Sequence, residues 1–213
     1  MRAVLTIQRK FYHMTREQAA DYSEKRQIIM DAAAEIFARA GYPSAKLQDI
    51  AKACGASKSM LYHYFPTKDD LLFSILSDHL TQTETAIAEI DPSLSSQERL
   101  STLVEVYILK SMQIRTRHIV AMNDMKYLDK TMQKPLVEQE RRIVRSVEKI
   151  IGGLRPAIAS HLIPAYTMLL FGMLNWVDLW YHPSGRIRPA ELCDRITQLY
   201  LKGILKSSAL PPA

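Results

Sequence analysis

Gln48–Phe65 reads QDIAKACGASKSMLYHYF. Ile50, Ala51 and Cys54 recur at helical spacing, so Leu47 to Ala53 reads as a short helix with one apolar face. Gly55 breaks that pattern, because glycine enters left-handed backbone space without steric cost. Ser57 is a natural N-cap, its hydroxyl placed to accept from an amide of the next turn. A second short helix then carries Lys58, Ser59, Met60, Leu61, Tyr62 and His63. Two short helices joined by a tight glycine turn form a helix-turn-helix, whose second helix enters the major groove of double-stranded DNA. Lys58 and Ser59 are expected at base edges, with Tyr62, His63, Lys68 and Lys46 at phosphates. Met60, Leu61 and Phe65 are expected to pack inward.

Charge separates this reading from a purely structural helical hairpin. The 213-residue chain carries a net charge of +6. Residues 1–68 hold eleven Lys and Arg against six Asp and Glu, a balance of +5; the remainder holds seventeen against sixteen, or +1. A basic amino-terminal third on a near-neutral body is the electrostatic footprint of a DNA-binding unit.

The run IAKACGASKSMLYHYFPTKDDLL closely resembles the DNA-binding signature of the tetracycline-repressor (TetR/AcrR) family of bacterial transcriptional regulators. The features that carry the resemblance are the Ile-Ala pair, the small-Gly-small-Ser turn, the Leu-Tyr-X-Tyr-Phe run and the Lys-acid-X-Leu-Leu that follows. It covers roughly Ser23 to Leu72 and supports Ser57, Tyr62 and Lys68 as DNA contacts. One departure stands out: many relatives carry Ser or Thr just before the first motif helix, where this chain has Ala45 and Lys46. Either Ser44 caps instead, or Lys46 supplies the phosphate contact.

Outward from the motif the pattern is helical throughout, giving an all-α expectation of about nine helices. Residues 1–22 read as a basic arm, either lying along DNA or forming, over 1–13, an extension ahead of a start at Met14. The DNA-binding domain is placed at 23–68, a ligand-binding and dimerisation domain at 69–207 and a tail at 208–213. Helix one is expected from about Ser23 to Ala40, with Ile28, Ile29, Ala32, Ala33, Ile36 and Phe37 inward and Gly41 ending it. Thr67 with Asp70 makes a capping-box start for helix four, the mechanical link between the domains. Gly152-Gly153 is read as closing the helix that runs from about Thr131 to Leu154.

From Pro156 to Tyr181 the chain is apolar almost all round. Its length suits a membrane span, but Pro164, Asn175, Asp178 and His161 are costly in lipid. Burial on two fronts, against its own core and a second subunit, is the expectation instead. Leu174, Val177, Trp180, Ile196 and Tyr200 are assigned to that dimer seam. In the family it resembles, the last two long helices form a four-helix interface.

No glycine-rich phosphate loop, Gly-X-Ser-X-Gly elbow or His-Glu-X-X-His is present. The six histidines do not pair at metal-ligand spacing, and His118 and His161 read as helix-end or surface residues. No metal, cofactor or enzyme activity is expected. Cys54 and Cys193 read as small core residues, which suits a reducing cytoplasm. Six of ten methionines, Met112, Met122, Met125, Met132, Met168 and Met173, lie in the carboxy-terminal body. They line either an adaptable ligand cavity or a plain core. Tyr107, Met122, Asn123, Met125, Met168 and Asn175 are the ligand-binding candidates, Asn175 and Asp178 serving equally as hydrogen-bonding groups across the dimer.

The function expected is a homodimeric repressor on a palindromic operator, released by a small apolar effector. The alternative is a constitutive or architectural DNA-binding dimer without one. The pattern LLFGMLNWVDLWYHPSGRIRPAEL resembles family members that respond to acyl-coenzyme A thioesters. Arg141, Arg142 and Arg145 would then meet phosphates, or else form a solvated face.

Overall fold

The structure, a computed structural model, describes residues 2–206, with side chains from 20 to 205. The tail at 208–213 lies outside the described residues. Nine α-helices and two short 3-10 turns follow one another, with no strand among the described residues.

Helix α1 spans Arg2–Ala40, so it begins well upstream of the expected start at Ser23. No proline or glycine interrupts residues 2–40, so nothing in that segment breaks the helical backbone. Its buried stripe is shifted by a fraction of a turn: Met30 and Ala34 are inside, while Ile28 is exposed. Gly41, with φ of 78°, turns the chain toward α2 (Leu47–Ala53). Gly55, φ 66°, makes the tight turn to α3 (Lys58–Tyr64), where Ser57 Oγ accepts from the Met60 amide at 3.0 Å. Thr67 and Asp70 form the expected reciprocal cap on α4 (Lys68–Ala88).

The body is built from α4, α5 (Ser96–Gln113), α6 (Arg115–Asp124), α7 (Lys130–Leu154), α8 (Ile163–Trp180) and α9 (Pro189–Lys206). Ser95 and Glu98 cap α5 reciprocally. Helix α7 ends at Leu154, as expected, just past Gly152 and Gly153. A Cβ on Gly153 would lie 2.3 Å from Ser96 Oγ, so that glycine permits the close crossing of α5 and α7. One buried apolar cluster runs unbroken from Ile29 through α4 to Ile204. Cys54 and Cys193 are free thiols, and burial pushes the Cys193 thiol up to about 11.

Helix α8 has two faces of different fate. Leu170, Phe171, Leu174 and Val177 are buried in the protomer's own core, as are Ile196 and Tyr200 on α9. Four of the five residues assigned to the dimer seam therefore belong to the monomer's interior. Only Trp180 is exposed, and beside it stand Leu169, Trp176, Leu179 and, on α9, Leu199, each more than three-fifths exposed. Sequence periodicity finds both faces of an all-round apolar helix but does not say which one its own subunit covers. The segment Ser160–Trp180 is long and apolar enough to cross a membrane by length and composition, yet its Asp178 is buried within the body.

Candidate DNA interface and ligand cavity

Lys58, Ser59, Tyr62 and His63 all lie exposed on α3, while Leu61 and Phe65 are buried. Met60, expected inside, is also exposed. It follows the N-cap at the open start of α3, where no element covers it. Lys58 Nζ sits 5.8 Å from the Tyr62 ring centroid, so the two travel as a pair along the outer face. His63 is edge-on to Tyr64 and to Tyr22 of α1, and Tyr22 stacks on Tyr64 at 4.6 Å. The end of α3 is thereby fixed against α1. Arg26 fixes the same corner, lying over Phe65 at 5.0 Å and donating to Ser74 Oγ.

At the start of α2, Lys46 is the N-cap residue, and no side chain caps it. Ser44 does not take that role, and Lys46 is left exposed. Lys68 departs from expectation. Its ammonium donates to the carbonyls of Tyr42 at 2.9 Å and Ala45 at 3.1 Å and lies 4.4 Å over the Tyr42 ring. It ties the α1–α2 turn to α4, so its donors point into the protein rather than outward.

In the body, a cavity of ≈ 240 Å³ opens among α4, α5, α6, α7 and α8. Of the six ligand candidates it gathers Tyr107, Met122, Met168 and Asn175. Tyr107 donates to Asn175 Oδ1 at 2.5 Å, which holds both polar tips at the wall; burial raises the Tyr107 phenol well above its ordinary range. Asn123 and Met125 fall elsewhere. The Asn123 amide donates to the Ile119 carbonyl at 2.8 Å, and Met125 begins a 3-10 turn at Met125–Tyr127. Sequence reading missed His79, Thr83, Glu140 and Phe171, which line it together with the aliphatic Leu80, Ala121, Ile143 and Val144. The adjacency of Asp78 and His79 was the available signal, since neighbouring helical residues face different sides.

That adjacency is answered on α6. Arg117, 1% exposed, donates to Asp31 of α1 through Nε at 3.0 Å and Nη2 at 2.6 Å, and also to Asp78 of α4. The next residue, His118, faces the other way. Its Nδ1 lies 3.3 Å from His79 Nε2 at the cavity wall, and its Nε2 lies 3.6 Å from Asp178 Oδ2 of α8. His118 is 2% exposed, so it is not a surface residue, although it stands in the first turn of α6. Burial pushes the His79 imidazole down to about 3 and lowers His118 as well, while it raises Asp178. All three therefore favour their neutral forms. His79 Nδ1, His118 Nε2 and Asp178 Oδ2 have no hydrogen-bond partner. Just beyond the end of α6, Tyr127 of the 3-10 turn stacks on Tyr42 of the α1–α2 turn at 5.6 Å. No metal-ligating cluster exists among the described residues.

Two family models match the chain. The model of the family described as "Bacterial regulatory proteins, tetR family" matches residues 29–75, and that described as "Tetracyclin repressor-like, C-terminal domain" matches 93–204. The chain is 24% identical over 197 residues to the transcriptional repressor KstR2 of Mycolicibacterium smegmatis, covering 87% of this chain and 93% of that one. It is 38% identical over 87 residues to the uncharacterised regulator YuxN of Bacillus subtilis, a match spanning only 30% of that protein's length. Among solved structures, a TetR-family regulator from Bordetella parapertussis superposes with a TM-score of 0.80 at 33% identity, over 87% of this chain and 98% of that one. The regulator AibR, solved with isovaleryl coenzyme A and operator DNA, shares the fold at a TM-score of 0.73 and 21% identity, over 82% and 97%.

Proposed function

The chain belongs to the tetracycline-repressor family of DNA-binding transcriptional regulators, and on that premise we propose that it is a homodimeric repressor released from a palindromic operator by a small apolar or acyl-coenzyme A effector. The observation that carries this reading is α6. Its consecutive residues Arg117 and His118 grip the DNA-reading unit and the cavity wall respectively. An effector that displaces α6 acts on α1 and α4 together, and so on the separation of two recognition helices that DNA holds near one helical turn or a multiple of it. Coupling of this kind is reciprocal, at about 1–3 kcal/mol. Helix α4 thus does not carry the signal alone.

The dimer reading rests on the exposed apolar face that Leu169, Trp176, Leu179, Trp180 and Leu199 give α8 and α9, of the kind that marks an association site. A two-fold axis through it gives an isologous contact and two α3 helices for two half-sites. The same covering accounts for α8 without a membrane, in a cytoplasmic protein. AibR's complex with isovaleryl coenzyme A supports the thioester class. A constitutive regulator has no use for an apolar cavity with a tethered Tyr–Asn pair in its wall, which is why the ligand-responsive reading is preferred.

The test is binding of the purified protein to DNA from upstream of its own gene, followed by anisotropy with and without an effector panel. Lys58→Ala should weaken specific binding by about 1–3 kcal/mol if it makes a good base contact. Wild-type affinity in that variant would remove α3 from the groove. An operator complex indifferent to every ligand that raises the melting temperature would return the protein to the constitutive class.

A further inference from the structure

The cavity and a shallower groove on the outer side of α7 share two lining residues, Glu140 and Val144. The two spaces adjoin there, and their charges differ. Among the described residues, Glu140 is the one formally charged side chain that lines the cavity, and no Lys or Arg lines it. Burial raises the Glu140 carboxyl, with no cation opposing the shift. Outside, the groove offers Arg141 and Arg145, with Glu148 beside them. Arg141 is held only by Glu138 at 2.8 Å, an exposed pair three residues apart, of the kind that contributes little and exchanges easily. Arg142 is not available in the same way, since Glu84 takes it bidentately at 2.7 and 3.2 Å.

From this we infer that the site is polarised: a neutral acyl group enters past Glu140 while a phosphate-bearing end stays outside on Arg141 and Arg145, so that acyl thioesters are accepted and the matching free carboxylic acids are refused. The inference deepens the acyl-coenzyme A reading above and rests on it. Two carboxylates sharing a desolvated site cannot both ionise cheaply, so a free acid meets a penalty at Glu140 that a thioester carbonyl does not. The amide N–H groups of the linking arm find an acceptor in the same carboxylate. Outside, guanidinium forks match phosphate oxygens.

The experiment presents one acyl group, isovaleryl, in three forms to the full-length protein by calorimetry: the coenzyme A thioester, the phosphate-free N-acetylcysteamine thioester and free isovalerate. Wild-type protein should bind the coenzyme A thioester at least tenfold tighter than the cysteamine thioester, and isovalerate more weakly than either. Glu140→Gln should improve isovalerate binding tenfold or more and so narrow the gap between the acid and the thioesters. Arg141→Ala with Arg145→Ala should bring the coenzyme A thioester down to the cysteamine value without moving the latter. Isovalerate binding wild type as well as the thioesters do would overturn the polarity while leaving the acyl reading intact. Absence of binding in all three forms would instead remove the isovaleryl-thioester premise. An unchanged acid-to-thioester ratio in the Glu140 variant, or an undiminished coenzyme A advantage in the arginine variant, also overturns the inference. The wild-type comparison needs no variant to fold.

Discussion

The DNA-reading unit and the body differ in what they bury. Among the described residues, every buried polar or charged side chain, from His79 to Thr197, lies at or beyond position 79. Apart from the Tyr42 phenol, which donates to Asp69, residues 20–78 bury apolar groups only, around Met30, Phe37, Ile50, Leu61 and Phe65. The reading unit satisfies its polar groups at the edges, through Ser57, Thr67 and the Lys68 ammonium. The body holds Arg117, His118, His79 and Asp178 inside, three of them with an orphaned atom. An apolar interior packs one way. A partly satisfied polar interior stores cost that a shift or a ligand can relieve. The contrast is what the proposed switch requires: a reading unit with one fixed surface and a body with two arrangements.

The largest effect should come from cutting the body's apolar frame beside its exposed stripe. Leu174→Ala should cost about 2–5 kcal/mol in chemical denaturation, as buried leucines do. Trp176→Ala, two residues on, should leave monomer stability within about 0.5 kcal/mol, as surface changes do, and weaken self-association in sedimentation. Equal losses of stability in the two variants would break the two-faced picture of α8.

Next is Arg117→Met, which removes the cation between α1 and α4. A loss of about 3 kcal/mol is expected, the lower end for breaking a buried pair, because Asp31 keeps water contact. The variant should also bind effector without releasing DNA. Normal release would take the coupling away from α6.

A smaller effect concerns acid. The folded His79 sits near 3 against an ordinary 6.5, so below 6.5 the unfolded chain binds the proton that the folded chain refuses. Stability is therefore full above about pH 6.5 and falls with pH, by about 2 kcal/mol at pH 5 from this group. Replacing both His79 and His118 by Phe should flatten that slope. A slope left unchanged would place the acid sensitivity elsewhere.

Smallest is the reading unit's own cap. Ser57→Ala should cost about 1 kcal/mol of stability, with no change in effector affinity, since no part of Ser57 reaches the cavity. A shift in effector binding would mean the two regions are less separate than their interiors indicate.

Much of this was legible in the sequence. Gly55, the caps at Ser57 and Thr67, the inward Leu61 and Phe65, and nine helices are local facts, set by backbone freedom, side-chain reach and period. The outer face of α3 follows from the same spacing. Tertiary packing decided the rest. Periodicity marked α8 as apolar on all sides, but only contact with α5 and α7 put Leu174 and Val177 inside and left Trp176 out. Lys68 read as a phosphate contact until the α1–α2 turn brought the Tyr42 and Ala45 carbonyls to it. His118 read as a surface residue until α4 and α8 closed around it, and Glu140 became a cavity residue only when α7 met α8. Each of these depends on residues distant in sequence, and the energy of burial belongs to the neighbours that exclude water, which no single stretch of chain contains.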